Sequence, residues 1–260
     1  MTDTILTKVE GGVATLTLNR PKEMNSFDGD TARAIIDAVE AFAADEAVRT
    51  LVVASGGPVF CAGGDFNWVL SWPELDAITR KVGADSLMAA IQAVYDFPKP
   101  SIARVQGAAV GGGVGLMLAC DFAVTVSSAR FGLTSARNGL LAGIAIPVLI
   151  QAVGPRMARQ LLMHGGMFDS ATALRIGLID QVVEEDALDA TVAALADELR
   201  RGAPSVQTLV KKLITEIDAM PHDRAVADLI GEHVAVQCTT DDAIEGMSAF
   251  LNKRKPKWAV

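Results

Sequence analysis

Two glycine-bearing loops carry the residue types best suited to chemistry. One reads Phe60-Cys61-Ala62-Gly63-Gly64-Asp65 and follows the buried run Thr50 to Ala54. The other lies inside Lys99 to Asp121, KPSIARVQGAAVGGGVGLMLACD. There a strand-like run, Ser101 to Val105, passes through Gly107 and the triplet Gly111-Gly112-Gly113. After Gly115 it enters the helically spaced Leu116 to Cys120. A helix N-terminus leaves backbone N–H groups unpaired and favours negative charge. Each loop follows a strand, and each can present such a donor. Two donors converging on one carbonyl oxygen form an oxyanion hole, in which each donor lowers the barrier by about 3–4 kcal/mol. The motifs of nucleotide binding and of the serine nucleophile elbow are absent: there is no G-x-x-x-x-G-K-[ST], no complete G-x-G-x-x-G and no G-x-S-x-G.

The elements around the loops alternate between strand and helix. Val13 to Leu18 alternates Thr with apolar residues, as a half-buried strand does. A helix capped by Asp30 or Thr31 is expected to run to about Ala44, and a second from Asp76 to Tyr95. Asp121 to Val126 and Ile179 to Val183 read as strands, and Phe131 begins an extended piece. Arg156 to His164 and Ser170 to Ile176 read as short helices split by Gly165-Gly166. From Asp186 onward every segment is helical: Asp186 to Arg201, Pro204 to Met220, Asp223 to Val236 and Asp241 to Leu251. Strand-helix units with a helical tail predict an α/β core carrying a C-terminal extension.

Composition narrows the function classes. Half of the 260 residues are apolar, enough for one large core. The net charge of −8 argues against general nucleic-acid binding, although Lys253, Arg254, Lys255 and Lys257 make the C-terminus basic. Cys61, Cys120 and Cys238 have neither metal-ligand nor disulfide spacing. No apolar run reaches membrane-spanning length, and Met1 to Gly11 lacks signal-peptide character, so a cytoplasmic protein is expected.

Seven segments in order resemble the crotonase, or enoyl-CoA hydratase/isomerase, superfamily. They are LNRPKEMNSF (Leu18 to Phe27), FCAGGDF (Phe60 to Phe66), the Lys99 to Asp121 stretch, ARFGL (Ala129 to Leu133), AVGPRMARQLLMHG (Ala152 to Gly165), ALRIGLIDQVV (Ala173 to Val183) and FLNKRKPKW (Phe250 to Trp258). The resemblance implies a crotonase-type spiral of ββα units over residues 1–200 and a C-terminal helical trimerisation region over 201–260. It implies a homotrimer or hexamer acting on acyl-CoA, with no metal or other cofactor beyond the CoA thioester substrate. Carried over by position, the oxyanion donors fall on Ala62 and Gly112. CoA contacts fall on Lys22, Met24, the Ala62-Gly63-Gly64-Asp65 loop, Phe250 and Lys253.

The departures from that family are as informative. Its hydratases carry two glutamates, at positions that correspond here to Gly115 and Ser135. Hydration needs one carboxyl as base and one as acid, and neither residue supplies one. The resemblance therefore implies an enzyme that stabilises a thioester enolate or oxyanion with a non-standard acid/base set. Its reaction would be isomerisation, decarboxylation, C–C cleavage or thioester hydrolysis rather than efficient hydration. The alternative is a non-catalytic acyl-CoA-binding protein. Ser135, Asp65, Glu74, Asp76 and Tyr95 are candidate proton-transfer groups, and the planar fork of Arg137 suits an acyl carboxylate. Trp68 and Trp72 are expected to wall the pocket, Cys61 to pack and His164 to be exposed.

Overall fold

The computed structural model describes residues 3–218, 220–221 and 223–259. Strands β1 (Ile5–Glu10) and β2 (Val13–Leu18) form an antiparallel hairpin. Helix α1 (Gly29–Ala44), β3 (Thr50–Ser55), the short α2 (Phe66–Leu70) and α3 (Ala77–Tyr95) follow. The glycine-rich stretch contains β4 (Ser101–Val105), β5 (Ala108–Val110) and α4 (Gly112–Leu118). Then come β6 (Phe122–Val126), β7 (Arg130–Gly132), α5 (Ile146–His164), β8 (Met167–Asp169), α6 (Ser170–Arg175) and β9 (Gln181–Val183). Helices α7 (Leu188–Leu199), α8 (Pro204–Asp218), α9 (Arg224–Gln237) and α10 (Asp241–Leu251) complete the chain.

The strands make two sheets. The larger has the order β1-β2-β3-β4-β6-β9, parallel from β2 onward. All six residues of β3 are buried, as expected for a parallel strand covered on both faces. Helices α1 and α3 pack together, with Ile35, Val39, Leu87, Ile91 and Val94 in the core. Helix α7 packs on β4 and β6 through Leu188, Val192 and Ala196. The smaller sheet, β5-β7-β8, brings the glycine triplet beside the Phe131 segment. In helices α8 to α10, Val226 and Ala249 are the buried residues, while Ile214, Val236 and Leu251 are exposed.

Several expected boundaries move. Asp28, not Asp30 or Thr31, caps α1, because its Oδ1 accepts the Thr31 backbone N–H at 2.9 Å. The span α5 holds two helices that meet at a kink, where Gly154 leaves the helical region at φ 72° and ψ 162°; the expected Arg156–His164 helix is the second, and the first, from Ile146, is added by the structure. The last core strand begins at Gln181 rather than Ile179. The helix expected to reach Met220 is described to Asp218.

The two glycine loops are joined by backbone contacts. Cys61 N–H donates to the Ala108 carbonyl at 3.1 Å, and Val110 N–H donates to the Cys61 carbonyl at 2.9 Å. A Cβ on Gly113 would lie 2.2 Å from the Cys61 carbonyl oxygen, so only glycine lets α4 start this close. Gly63 has φ +91°, and its hypothetical Cβ would lie 2.8 Å from the Gly112 amide nitrogen. Arg20 ties the first loop to the chain before α1. Its guanidinium donates to Asp65 Oδ2 at 2.8 Å and to the Ser26 carbonyl at 2.8 Å, and it lies 3.2 Å from Asp28 Oδ2. Asn25, buried in the left-handed region, accepts the Arg20 N–H and donates to the Gly56 and Val59 carbonyls.

Two outcomes follow from this packing. Arg20→Met leaves two largely buried carboxylates without their cation and is expected to lower stability by about 3 kcal/mol. Urea unfolding checks this, and an unchanged midpoint would remove Arg20 as the tie. Cys61 and Cys120 are buried, whereas Cys238 is exposed. Burial pushes the Cys61 thiol up to about 12. A disulfide reagent at pH 8 should therefore titrate one thiol in the native protein and three after denaturation.

Candidate active site

A cavity of about 590 Å³ opens between α2 and α3 on one side and residues 135–144 on the other. Gly64 and Gly112 lie together in its lining. Local chemistry shapes the α2 wall. Asp65 caps α2 by accepting the Asn67 and Trp68 N–H groups, which fixes the helix directly after the glycine loop. Trp68 and Trp72 meet edge to face at 5.1 Å, and both rings rest on Gly83 of α3. Trp72 reaches the cavity, while Trp68 packs behind it between Gly29 and Gly83.

Of the two backbone N–H groups expected to serve a ligand, one is already engaged within the chain. The Ala62 N–H donates to the Met24 carbonyl at 3.0 Å and is not available to a ligand. The Gly63 N–H is directed to Cys61 Sγ at 3.3 Å. Among the described residues, no acceptor takes the N–H of Gly64 or of Gly112. The Ala62 N–H is thus engaged within the chain, whereas Gly64 and Gly112, both in the cavity lining, have N–H groups without an acceptor among the described residues. Gly111, at φ +55°, makes the turn that starts α4 at Gly112.

The remaining candidates divide clearly. Ser135 lines the cavity, with its Oγ 3.8 Å from where a Gly111 Cβ would stand. The Asp65 carboxylate is engaged by Arg20 and the α2 cap and lies outside the lining. Arg137 also lies outside, with its Nε donating to the His164 carbonyl at 3.1 Å. Asp76 caps α3; hydrogen bonds from the Thr79 side chain, then from the Thr79 and Ile78 backbone, hold its carboxyl below the usual range. Glu74, Lys22, Met24, Phe250 and Lys253 are exposed on this chain and outside the lining, and Tyr95 also stands elsewhere.

Gly115 is filled from the other side. A Cβ there would lie 2.9 Å from Ile91 Cδ1 and 3.2 Å from Ala145 Cα. The cavity also has walls that the sequence did not single out, including Asp85, Leu87, Met88, Leu141 and Ile144. Asp85 is the one carboxylate in the lining, and its position seven residues after Ile78 on an outward helix face was the available signal. No group of three His, Cys, Asp or Glu residues among the described residues is arranged to hold a metal ion. No helix among them is long and apolar enough to cross a membrane.

Known proteins share both sequence and fold with this chain. Crotonyl-CoA hydratase of Syntrophomonas wolfei is 36% identical over 260 residues, covering 97% of this chain and 96% of that protein. Carnitinyl-CoA dehydratase of Citrobacter koseri is 31% identical over 256 residues, with 95% of each chain covered. The crystal structure of an enoyl-CoA hydratase from Shewanella pealeana superposes with a TM-score of 0.94 at 30% identity, covering 98% of this chain and 96% of that one. An enoyl-CoA hydratase structure from Mycobacterium smegmatis gives 0.92 at 31% identity, covering 99% and 100%. With residues 8–260 matching the family profile as well, the chain belongs to the enoyl-CoA hydratase/isomerase family and has the crotonase fold.

Proposed function

We propose that the cavity holds the acyl end of a CoA thioester, with the carbonyl oxygen between the Gly64 and Gly112 N–H groups. The observation that carries this is the pair of donors without acceptors, from two loops joined backbone to backbone, in one apolar cavity. Removing a proton from the α-carbon moves negative charge onto that oxygen. Fixed N–H dipoles stabilise the charge without reorganising as it forms. Asp85 is the carboxylate assigned to proton transfer, and Ser135 offers a hydrogen bond within the cavity. Gly115 and Ser135 supply no pair of carboxyls, so the reading favours isomerisation, C–C cleavage or related enolate chemistry over efficient hydration. No metal or further cofactor enters it. Lys22, Met24, Phe250 and Lys253 are assigned to the nucleotide end of CoA, and the protein to the cytoplasm.

The test is a panel of 2-enoyl, 3-enoyl, 3-oxo and aromatic CoA thioesters incubated in deuterated water and read by mass spectrometry. Deuterium at an α-carbon, or loss of a fragment from one member, is expected. Gly64→Pro deletes one donor and should slow that reaction by about 10²–10³-fold. Gly64→Ala keeps the N–H, and its Cβ would stand 3.7 Å from Leu87, so it should stay within about tenfold. Equal rates in wild type and Gly64→Pro would rule out the hole. An unchanged panel with esters still bound would identify a carrier of acyl-CoA instead.

Assembly belongs to the same reading. Val210, Ile214, Ile230, Val234, Ile244 and Met247 are exposed on helices that bury little within one chain. A homotrimer or hexamer would cover them. Light scattering at micromolar concentration should show three or six copies; a monomer would refute this.

A further inference from the structure

Resting on the thioester reading above, we infer that Gln106 is a positioning residue: its carboxamide holds the turn that leads into the first glycine loop, and so sets where the Gly64 N–H stands relative to that of Gly112. Gln106 directly follows β4, and the turn Ser55-Gly56-Gly57-Pro58 begins at the last residue of β3. The Gln106 Nε2 group donates to the Ser55 carbonyl and hydroxyl, both at 2.8 Å, and to the Gly57 carbonyl at 3.0 Å. Its Oε1 accepts from Arg104 Nη1 at 2.8 Å, and Arg104 Nε is paired with Asp189 of α7 at 2.5 Å. With both ends engaged, the carboxamide has one orientation. The backbone continues the same clasp: Phe60 N–H donates to the Gln106 carbonyl at 3.0 Å. A Cβ on Gly107 would lie 1.8 Å from the Pro58 carbonyl oxygen, so turn and second loop touch directly after Gln106.

Two side-chain amides therefore grip this turn. Asn25 takes the Gly56 and Val59 carbonyls, and Gln106 takes those of Ser55 and Gly57. The two differ in surroundings. Asn25 is buried, so its loss would be a folding defect. Gln106 is half-buried and lines, with Ser55, Gly57 and Arg104, a cavity of about 660 Å³ between the sheet and α7. Water in that cavity can take over the freed carbonyls, so replacing Gln106 loosens the turn without orphaning a polar group. Gln106 lies outside the lining of the acyl cavity, so its effect on a thioester carbonyl must pass through the loops. Small displacements matter there, since a misplacement of about 1 Å costs about 10²-fold in rate.

Isotope-edited infrared spectroscopy of bound butyryl-CoA, labelled with carbon-13 at the thioester carbonyl, tests this without turnover. In the wild type, the two N–H donors should lower the carbonyl stretching frequency relative to the free ester. Gln106→Met keeps the length and removes the donors. It should lose most of that lowering and weaken butyryl-CoA by about fivefold, the contribution of one hydrogen bond. Free CoA has no acyl carbonyl, and its affinity should stay within about twofold. Gln106→Asn, one methylene too short to reach the turn, should behave alike, and is read in its place if Gln106→Met fails to fold. Full lowering in a folded variant would overturn the role of Gln106 and leave the thioester reading standing. An equal loss of free-CoA affinity would do the same, because it marks a general structural defect. A wild-type band at the free-ester frequency would instead refute the thioester reading, on which the proposal rests.

Discussion

The reciprocal backbone hydrogen bonds between Cys61 and the β5 strand govern this structure, because they bring together two loops that are distant in sequence. The six-stranded sheet delivers β3 and β4 side by side, but their ends diverge into different connections. One short bridge at Cys61–Ala109 closes that gap. Close approach then forces small residues at Gly63 and Gly113, since any Cβ there would meet backbone atoms within 3 Å. These two glycines are thus a steric consequence of the bridge, and the Gly64 and Gly112 N–H groups lie next to them in the chain.

Apart from Asp85, charge is absent from the cavity lining and is used around it. Arg20 gathers Asp28, Asp65 and the Ser26 carbonyl into one cluster behind the first loop. Asp65 serves that cluster and the α2 cap together, so one carboxylate orients both the loop and the helix that walls the cavity. Such groups are ordinary in sequence but fully committed in space. What remains inside is apolar surface, two backbone donors, a hydroxyl and one carboxylate at the rim. In such surroundings an oriented N–H dipole acts strongly, because little water competes for the developing charge.

Much of the fold was legible in the sequence, and the exceptions have physical causes. The alternation in Val13 to Leu18, the long α3 and the four C-terminal helices follow from periodicity and capping residues. The strands β5, β7 and β8 are three residues each, too short to show a period. The break at Gly154-Pro155 was legible, and the helix from Arg156 to His164 follows it, but the helical segment from Ile146 up to Gly154 was not singled out. At the site, the glycine loops were visible, but which of their N–H groups are already taken was not. That the Met24 carbonyl accepts the Ala62 N–H is a long-range pairing that side-chain pattern does not encode. Asp65 and Arg137 looked available because partners such as Arg20 and the His164 carbonyl lie 45 and 27 residues away.

Gly115 bears on the mutational routes open to this protein. Its missing side chain leaves no vacancy, because Ile91 from α3 and Ala145 from before α5 already occupy the volume. A side chain at 115 would first need the Ile91 Cδ1 terminus to turn aside and Ala145 to give by a few tenths of an ångström. The route from this site to one with a carboxyl at 115 therefore runs through the rotamer of Ile91, whose other χ wells set what such a substitution costs.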